Sequence, residues 1–149
     1  MLEENIKQEL EKKFGLTGKV AIKRPRRIFA EIEEADFLKI LDYLVKEMGF
    51  SSISAITGMD EGGTFGVVYH LNCQGSIILS LRIHISKTDP EVKTVTGYFL
   101  EADAYERELE DLLGIKVQGL AQGHRYPLPD NWPQGEYPLR KDWKEGKHA

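Results

Sequence analysis

Between residues 64 and 86 the side chains alternate with a period of two on both sides of a glycine-containing turn. Phe65, Val67, Tyr69 and Leu71 share one face of the first segment, and Ile77, Leu79, Leu81, Ile83 and Ile85 share one face of the second. Successive strand side chains point to opposite faces, so a slip of one residue would turn an entire apolar row into water. Keeping both rows on one face needs an even register sum. That selects a three-residue loop of Cys73, Gln74 and Gly75, with Leu71 opposite Ile77 and Gly75 in the left-handed region. A third strand, residues 52–59, precedes them across the turn residues Asp60, Glu61, Gly62 and Gly63.

An antiparallel sheet with one apolar face must be covered. Phe37, Ile40, Leu41, Leu44, Val45 and Met48 follow helical spacing after Asp36, read as an N-cap, and stop at Gly49. Leu2, Ile6, Leu10 and Phe14 form a narrower helical stripe that ends at Gly15. Residues 19–23 and 27–33 alternate as two short strands broken at Pro25. From about Leu100 the pattern is helical again, with Ala102, Tyr105, Leu109 and Leu112 on the dry side until Gly114. The expected fold is α+β: a mainly antiparallel sheet covered by helices. A chain of 149 residues is one domain by size, able to bury roughly 70% of its unfolded surface.

Composition changes near Gly119. The last 30 residues hold four of the six prolines and both tryptophans. Proline cannot pair inside a sheet, while Tyr126, Trp132, Tyr137 and Trp143 carry more apolar area than a solvated linker does. The expected division is a body of residues 1–119 and an extended Pro/Trp-containing docking arm of residues 120–149. A tail folded back on its own domain is the equal alternative. On the arm reading, truncation after Gly119 leaves the body folded.

Charge and residue counts exclude several functions. Twenty Lys and Arg stand against 24 Asp and Glu, a net of −4, so the whole surface is not built to grip nucleic acid or anionic lipid. Cys73 is the single cysteine, which leaves no disulfide, no CxxC pair and no cysteine-ligated cluster, and fits a reducing, cytosolic setting. No apolar run of about 18 residues is present, and the amphipathic, acidic N-terminus is unlike a signal peptide.

His70 and His84 lie on the outward face of neighbouring strands, but the register separates them by roughly 20 Å, too far to share a metal. His124 and His148 lack a second ligand at any recognisable spacing. There is no GxSxG elbow, and Gly58, Gly62, Gly63 and Gly66 are read as hairpin glycines rather than a phosphate cradle. The chain is expected to have no metal site, no cofactor and no catalysis of its own.

Two charged segments remain. Lys19, Lys23, Arg24, Arg26 and Arg27 form a basic run with no acid and no aromatic residue. It reads as a protected edge strand before it reads as a nucleic-acid site. Residues 101–111 hold six carboxylates and Arg107, with Arg107 placed to bridge Asp103 and Asp111. So acidic a face calls for a basic partner, either another protein or the tail residues Arg140 and Lys141.

Within that helix, Glu106, Arg107, Glu108, Asp111, Gly114, Ile115 and Gly119 resemble the E-R-E-x-x-D-x-x-G-I-x-F-x-G signature of the 30 kDa subunit family of respiratory complex I, the NADH:quinone oxidoreductase. Pro138, Leu139, Arg140, Lys141 and Asp142 match the P-L-R-K-D that follows it in the family, after Trp132. Val117 replaces the usual phenylalanine and Leu120 stands where histidine is common. With the divergent stretch 121–126 and the short chain, this is more similar to the equivalent subunit of energy-converting membrane-bound nickel-iron hydrogenases.

The resemblance implies a non-catalytic, cofactor-free subunit of the cytoplasmic arm of a complex I-like NADH dehydrogenase or hydrogenase. Such a subunit docks on the large (49 kDa-like, nickel-iron hydrogenase-like) subunit, alongside a small iron-sulfur subunit. Iron-sulfur clusters, and nickel-iron in the hydrogenase version, sit in those partners. The signature residues and Trp132 would serve as interface or anchor, with Arg140 pairing a carboxylate. The implied location is cytoplasmic and peripheral to the membrane through the complex, with no membrane span and no nucleic acid. The competing class is a free-standing binding module, using segment 19–27 for nucleic acid.

Overall fold

In the computed structural model, residues 2–73 and 76–145 are described. In chain order the elements are α1 (Leu2–Phe14), β1 (Val20–Arg24), β2 (Arg27–Glu31), a 3-10 turn (Glu34–Asp36), α2 (Phe37–Glu47), β3 (Phe50–Asp60), β4 (Thr64–Cys73), β5 (Ile77–Ser86), β6 (Glu91–Lys93), α3 (Ala102–Glu108), a π-helical turn (Leu109–Leu113) and β7 (Lys116–Gln118). Five strands form one sheet in the order β1-β2-β5-β4-β3. β1 and β2 are antiparallel, and loops this short between β3, β4 and β5 permit only antiparallel neighbours. β2 and β5 pair in parallel, with Ile28 beside Leu79 and Ala30 beside Leu81. The sheet is therefore mixed but mainly antiparallel, and the fold is α+β as expected.

Two compact units divide the chain. One comprises residues 1–56 and 68–84, the other residues 57–67 and 85–149.

In the first unit both alternating rows are buried: Tyr69, Leu71, Leu79, Leu81 and Ile83 are at most 1% exposed. Ile40, Leu41 and Leu44 of α2 are fully buried, as are Leu10 and, nearly, Ile6 of α1. The Phe37 ring lies 4.3 Å from that of Tyr69, which seats α2 on the inner face of the sheet. Asp36 does not cap α2: its backbone is already helical and its side chain makes no cap bond, because the 3-10 turn leads into the helix without a break. The loop residues Gln74 and Gly75 lie outside the described residues, so the left-handed Gly75 is not addressed. His148 lies outside them too.

The second unit departs from the sequence reading at three points. β6 and β7 form a short parallel pair, Val92 beside Val117, where no strand was expected. The buried positions of α3 and its π turn are Ala102, Glu106, Leu109, Asp111 and Leu113. Tyr105 and Leu112 are half-buried. A π turn bonds i to i+5 and advances less per residue, which rotates later side chains off the α-helical face. Gly58 and Gly66 are also not hairpin glycines. A Cβ at Gly58 would lie 2.6 Å from Leu109 and Leu113, so the π turn rests directly on β3, and one at Gly66 would lie 2.9 Å from the Glu61 carboxylate. Gly62, at φ +96°, and Gly63 do lie in the turn itself.

Candidate functional site

The sequence-predicted site residues gather in the second unit, around the C-terminal end of α3. Glu106 is fully buried. Its carboxylate accepts the Thr94 hydroxyl at 2.6 Å and the Val95 N–H at 2.8 Å. Burial raises its pKa, and these two hydrogen bonds only partly oppose the rise. The first signature carboxylate therefore fastens the chain that leaves β6. Gly119, at φ +88°, packs closely on the same threonine: a Cβ there would meet Thr94 Cγ2 at 3.0 Å.

Arg107 forks onto Asp103, with Nε to Oδ1 at 2.8 Å and a terminal nitrogen to Oδ2 at 3.1 Å. It donates further to the Ala121 carbonyl at 2.7 Å, and its guanidinium lies against Gly123. The expected bridge to Asp111 is not made, since the π turn carries Asp111 away from this face. Glu108 is half-buried.

Asp111, 7% exposed, belongs to the tail instead. Its Oδ1 takes Arg125 Nε at 3.0 Å and its Oδ2 takes the Leu128 N–H at 2.9 Å. Arg125 also donates to the Trp132 carbonyl at 2.9 Å, and the Trp132 indole donates to the Glu136 carbonyl at 2.7 Å. Trp132 and Trp143 lie 6.0 Å apart between ring centroids.

The second motif caps the helix that carries the first. Helix C-termini leave four carbonyls without an intrahelical partner. Here Gly114 N–H reaches Glu110, Ile115 N–H reaches Leu109 and Leu139 N–H reaches Leu112, while Arg140 Nε donates to the Leu113 carbonyl at 2.7 Å. A guanidinium at this end also complements the helix dipole. Arg140 thus meets a backbone carbonyl where a carboxylate was expected. Its guanidinium stacks 4.6 Å over Tyr137 and 5.2 Å over Phe65. Gly114, at φ +72°, makes room: a Cβ there would lie 2.6 Å from Tyr137 and 2.7 Å from Arg140. Ile115 is fully buried, Pro138 is half-buried, and Asp142 is exposed.

Lys141 donates its N–H to Asp60 Oδ2 at 2.8 Å. Asp60 also takes the Gly62 N–H at 2.9 Å and Lys87 Nζ at 2.6 Å. Lys87 and these backbone donors hold its carboxyl far below the usual range, against the opposing effect of burial. The described residues thus bring every motif segment to one place, and its contacts are those of a clamp: carboxylates on backbone N–H groups, guanidinium groups on carbonyls.

A profile of the respiratory-chain NADH dehydrogenase 30 kDa subunit matches residues 30–149. The chain belongs to this family. A subunit of the NADH-quinone oxidoreductase of Chloroherpeton thalassium is 31% identical over 141 residues, covering 91% of this chain and 58% of that one. A subunit of the F420H2 dehydrogenase of Methanosarcina mazei is 29% identical over 140 residues, covering 87% of this chain and 88% of its relative. The chain therefore spans a little over half of the first relative and most of the second. Among solved structures, a chain of the membrane-bound sulfane sulfur reductase, an archaeal respiratory membrane complex, superposes with a TM-score of 0.80 at 26% identity, covering 98% of this chain and 87% of that one.

For this 30 kDa-type chain the residues that sequence reasoning missed are Asp60, Lys87, Thr94, Arg125 and Tyr137. Asp60 was visible as a turn residue, and Arg125 as a basic residue of the tail. Nothing in their spacing marks the backbone groups they hold. Among the described residues no group of three His, Cys, Asp or Glu side chains is arranged to hold a metal ion.

Proposed function

We propose that the chain is a structural and assembly subunit in the cytoplasmic arm of a complex I-like oxidoreductase, and that its tail docks on the large, nickel-iron hydrogenase-like subunit. The observation that carries this reading is how the signature residues are used. Glu106, Arg107, Asp111 and Arg140 are spent on holding backbone, and the chain they hold turns apolar side chains outward, with Leu139 54% and Tyr126 48% exposed. A shape fixed this firmly around exposed anchors is pre-organised for a protein surface. On this reading the chain binds no cofactor, iron-sulfur clusters and any nickel-iron centre belong to its neighbours, and electrons pass through those neighbours. On this reading membrane association comes through the complex; no helix among the described residues is long and apolar enough to cross a membrane.

The test is co-purification with the large subunit. Leu139→Asp and Tyr126→Ala change exposed side chains, so the isolated chain should melt as before while recovery of the large subunit falls at least about tenfold. Undiminished assembly would remove the tail from the interface. A stoichiometric metal or a visible absorption band in the isolated chain would overturn the cofactor-free role.

A further inference from the structure

The two edges of the five-stranded sheet are built in opposite ways. β1, at one edge, is five residues long. Lys19, Lys23, Arg24 and Pro25, in it or beside it, are the charges and the proline with which edge strands turn other chains away. β3, at the other edge, runs for 11 residues, about twice the usual strand length. Residues 50–59 hold no charged side chain and no proline. Phe50, Ile53 and Ile56 are buried and anchor the strand, while its exposed side chains, Ser51, Ser54 and Thr57, are short and uncharged.

An edge strand presents a row of N–H and C=O groups without a ladder partner. Among the described residues, no group outside the sheet bonds the backbone of Ser51, Ser52, Ser54 or Ala55. Donors and acceptors at strand spacing are matched by another extended backbone, and a strand without charge sets no repulsion against one. β3 also ends at Asp60, whose carboxylate holds the Lys141 N–H of the tail at 2.8 Å, two residues from the exposed Leu139. A neighbour seated on Leu139 therefore meets the end of this edge. We propose that β3 receives an extended segment of that neighbouring subunit, low in charge, as a sixth strand held by main-chain hydrogen bonds along residues 51–55. The pairing rests on the reading that the tail meets a subunit of the complex, and adds a main-chain contact to it. Nucleic acid finds no cation along residues 50–59 to neutralise its phosphates.

The experiment compares amide hydrogen exchange in the isolated full chain and in the same chain within its purified complex. Those amides of Ser51, Ser52, Ser54 and Ala55 that exchange freely in isolation should slow at least about tenfold in the complex, while those already bonded to β4 change little. Ser51→Lys with Ser54→Lys puts charge on the edge. Both side chains are exposed, so the isolated chain should melt as before while recovery of the neighbouring subunits falls at least about tenfold. Leu139→Asp probes the tail separately. If that variant assembles normally and the β3 amides are still protected, the tail reading fails and the strand pairing stands. Unchanged exchange at these amides, in a complex that Leu139→Asp does weaken, would overturn the pairing alone. So would full recovery of the subunits by the lysine variant, or a dimer of the isolated chain in light scattering that the same variant dissolves.

Discussion

Asp111 and Arg125 face each other across the start of the tail at 3.0 Å, with the aspartate almost wholly buried. An ion pair in this setting differs from a surface one, because removing either member strands the other away from water. Arg125→Ala should therefore destabilise the chain by about 3 kcal/mol, more than the loss of an exposed pair such as Lys46 with Asp42. Asp111→Asn combined with Arg125→Ala should be less harmful than Arg125→Ala alone, since no uncompensated charge then remains. Urea unfolding of the single and double variants measures both.

Glu106 yields a pH signature. Its carboxyl is raised from the ordinary 4.5, so the folded state holds this proton more tightly than the unfolded chain does. Stability should fall as pH climbs from about 4.5 through the raised value, and this contribution levels off above it. Glu106→Gln keeps an oxygen for Val95 N–H and an amide for the Thr94 hydroxyl, so it should fold well and flatten that slope. Glu106→Leu leaves the Val95 N–H unsatisfied and should cost about 2 kcal/mol. Denaturant midpoints between pH 4.5 and 8 distinguish the two.

Asp60 behaves in the opposite sense. Its carboxyl is lowered from 3.8 by Lys87 and by backbone donors, so its stabilisation is complete above that value and is lost as pH falls below it. Asp60→Asn should lower stability at neutral pH, and the gap to the parent chain should narrow under acid. An acid titration followed by circular dichroism reads this directly.

Gly114 and Gly135 separate two effects that glycine usually mixes. Both are left-handed, at φ +72° and +79°, but a Cβ at Gly135 meets open space whereas one at Gly114 runs into Tyr137 and Arg140. Alanine at Gly135 should cost about 1 kcal/mol, the backbone penalty alone. At Gly114 the same change should cost about 3 kcal/mol or more, since overpacking adds to it. Equal melting points for the two variants would mean that Arg140 does not pack there as described.

The elements most legible in the sequence were those whose period reports their face directly. The rows around Tyr69 and Leu81 and the stripe through Leu41 and Leu44 read correctly because each position's burial follows from its neighbours two, three or four residues away. Glu106 misled for the opposite reason. A carboxylate among carboxylates reads as solvated, and the groups that bury it, Thr94 and the Val95 N–H, are a backbone turn away and leave no pattern. Leu113 replaced Leu112 on the buried side because a π turn changes the period in mid-helix. β6 and β7, three residues each, are too short for any alternation to register. The motif segments at Glu106 and Arg140 were recognised as a resemblance, but that one caps the helix of the other is a fact of tertiary structure alone.

Truncation after Gly119 was expected from composition to spare the body, and the contacts of residues 120–145 predict a different result. Removing them takes Arg125 and the Leu128 N–H from Asp111, the caps from the Leu112 and Leu113 carbonyls and the Lys141 N–H from Asp60. Each loss leaves a polar group that must find water, and a π turn without its cap has little propensity to hold it. The truncated chain should therefore lose amide protection in α3, the π turn and the end of β3, while α1 and α2, whose packing partners Ile6, Leu10, Leu41 and Leu44 lie in the other unit, keep theirs. Hydrogen exchange resolved by residue decides the matter. Full protection of Leu109 to Leu113 in the truncated chain would show that the tail does not hold this helix, and loss there with α1 and α2 protected would show the tail to be a clamp on its own unit.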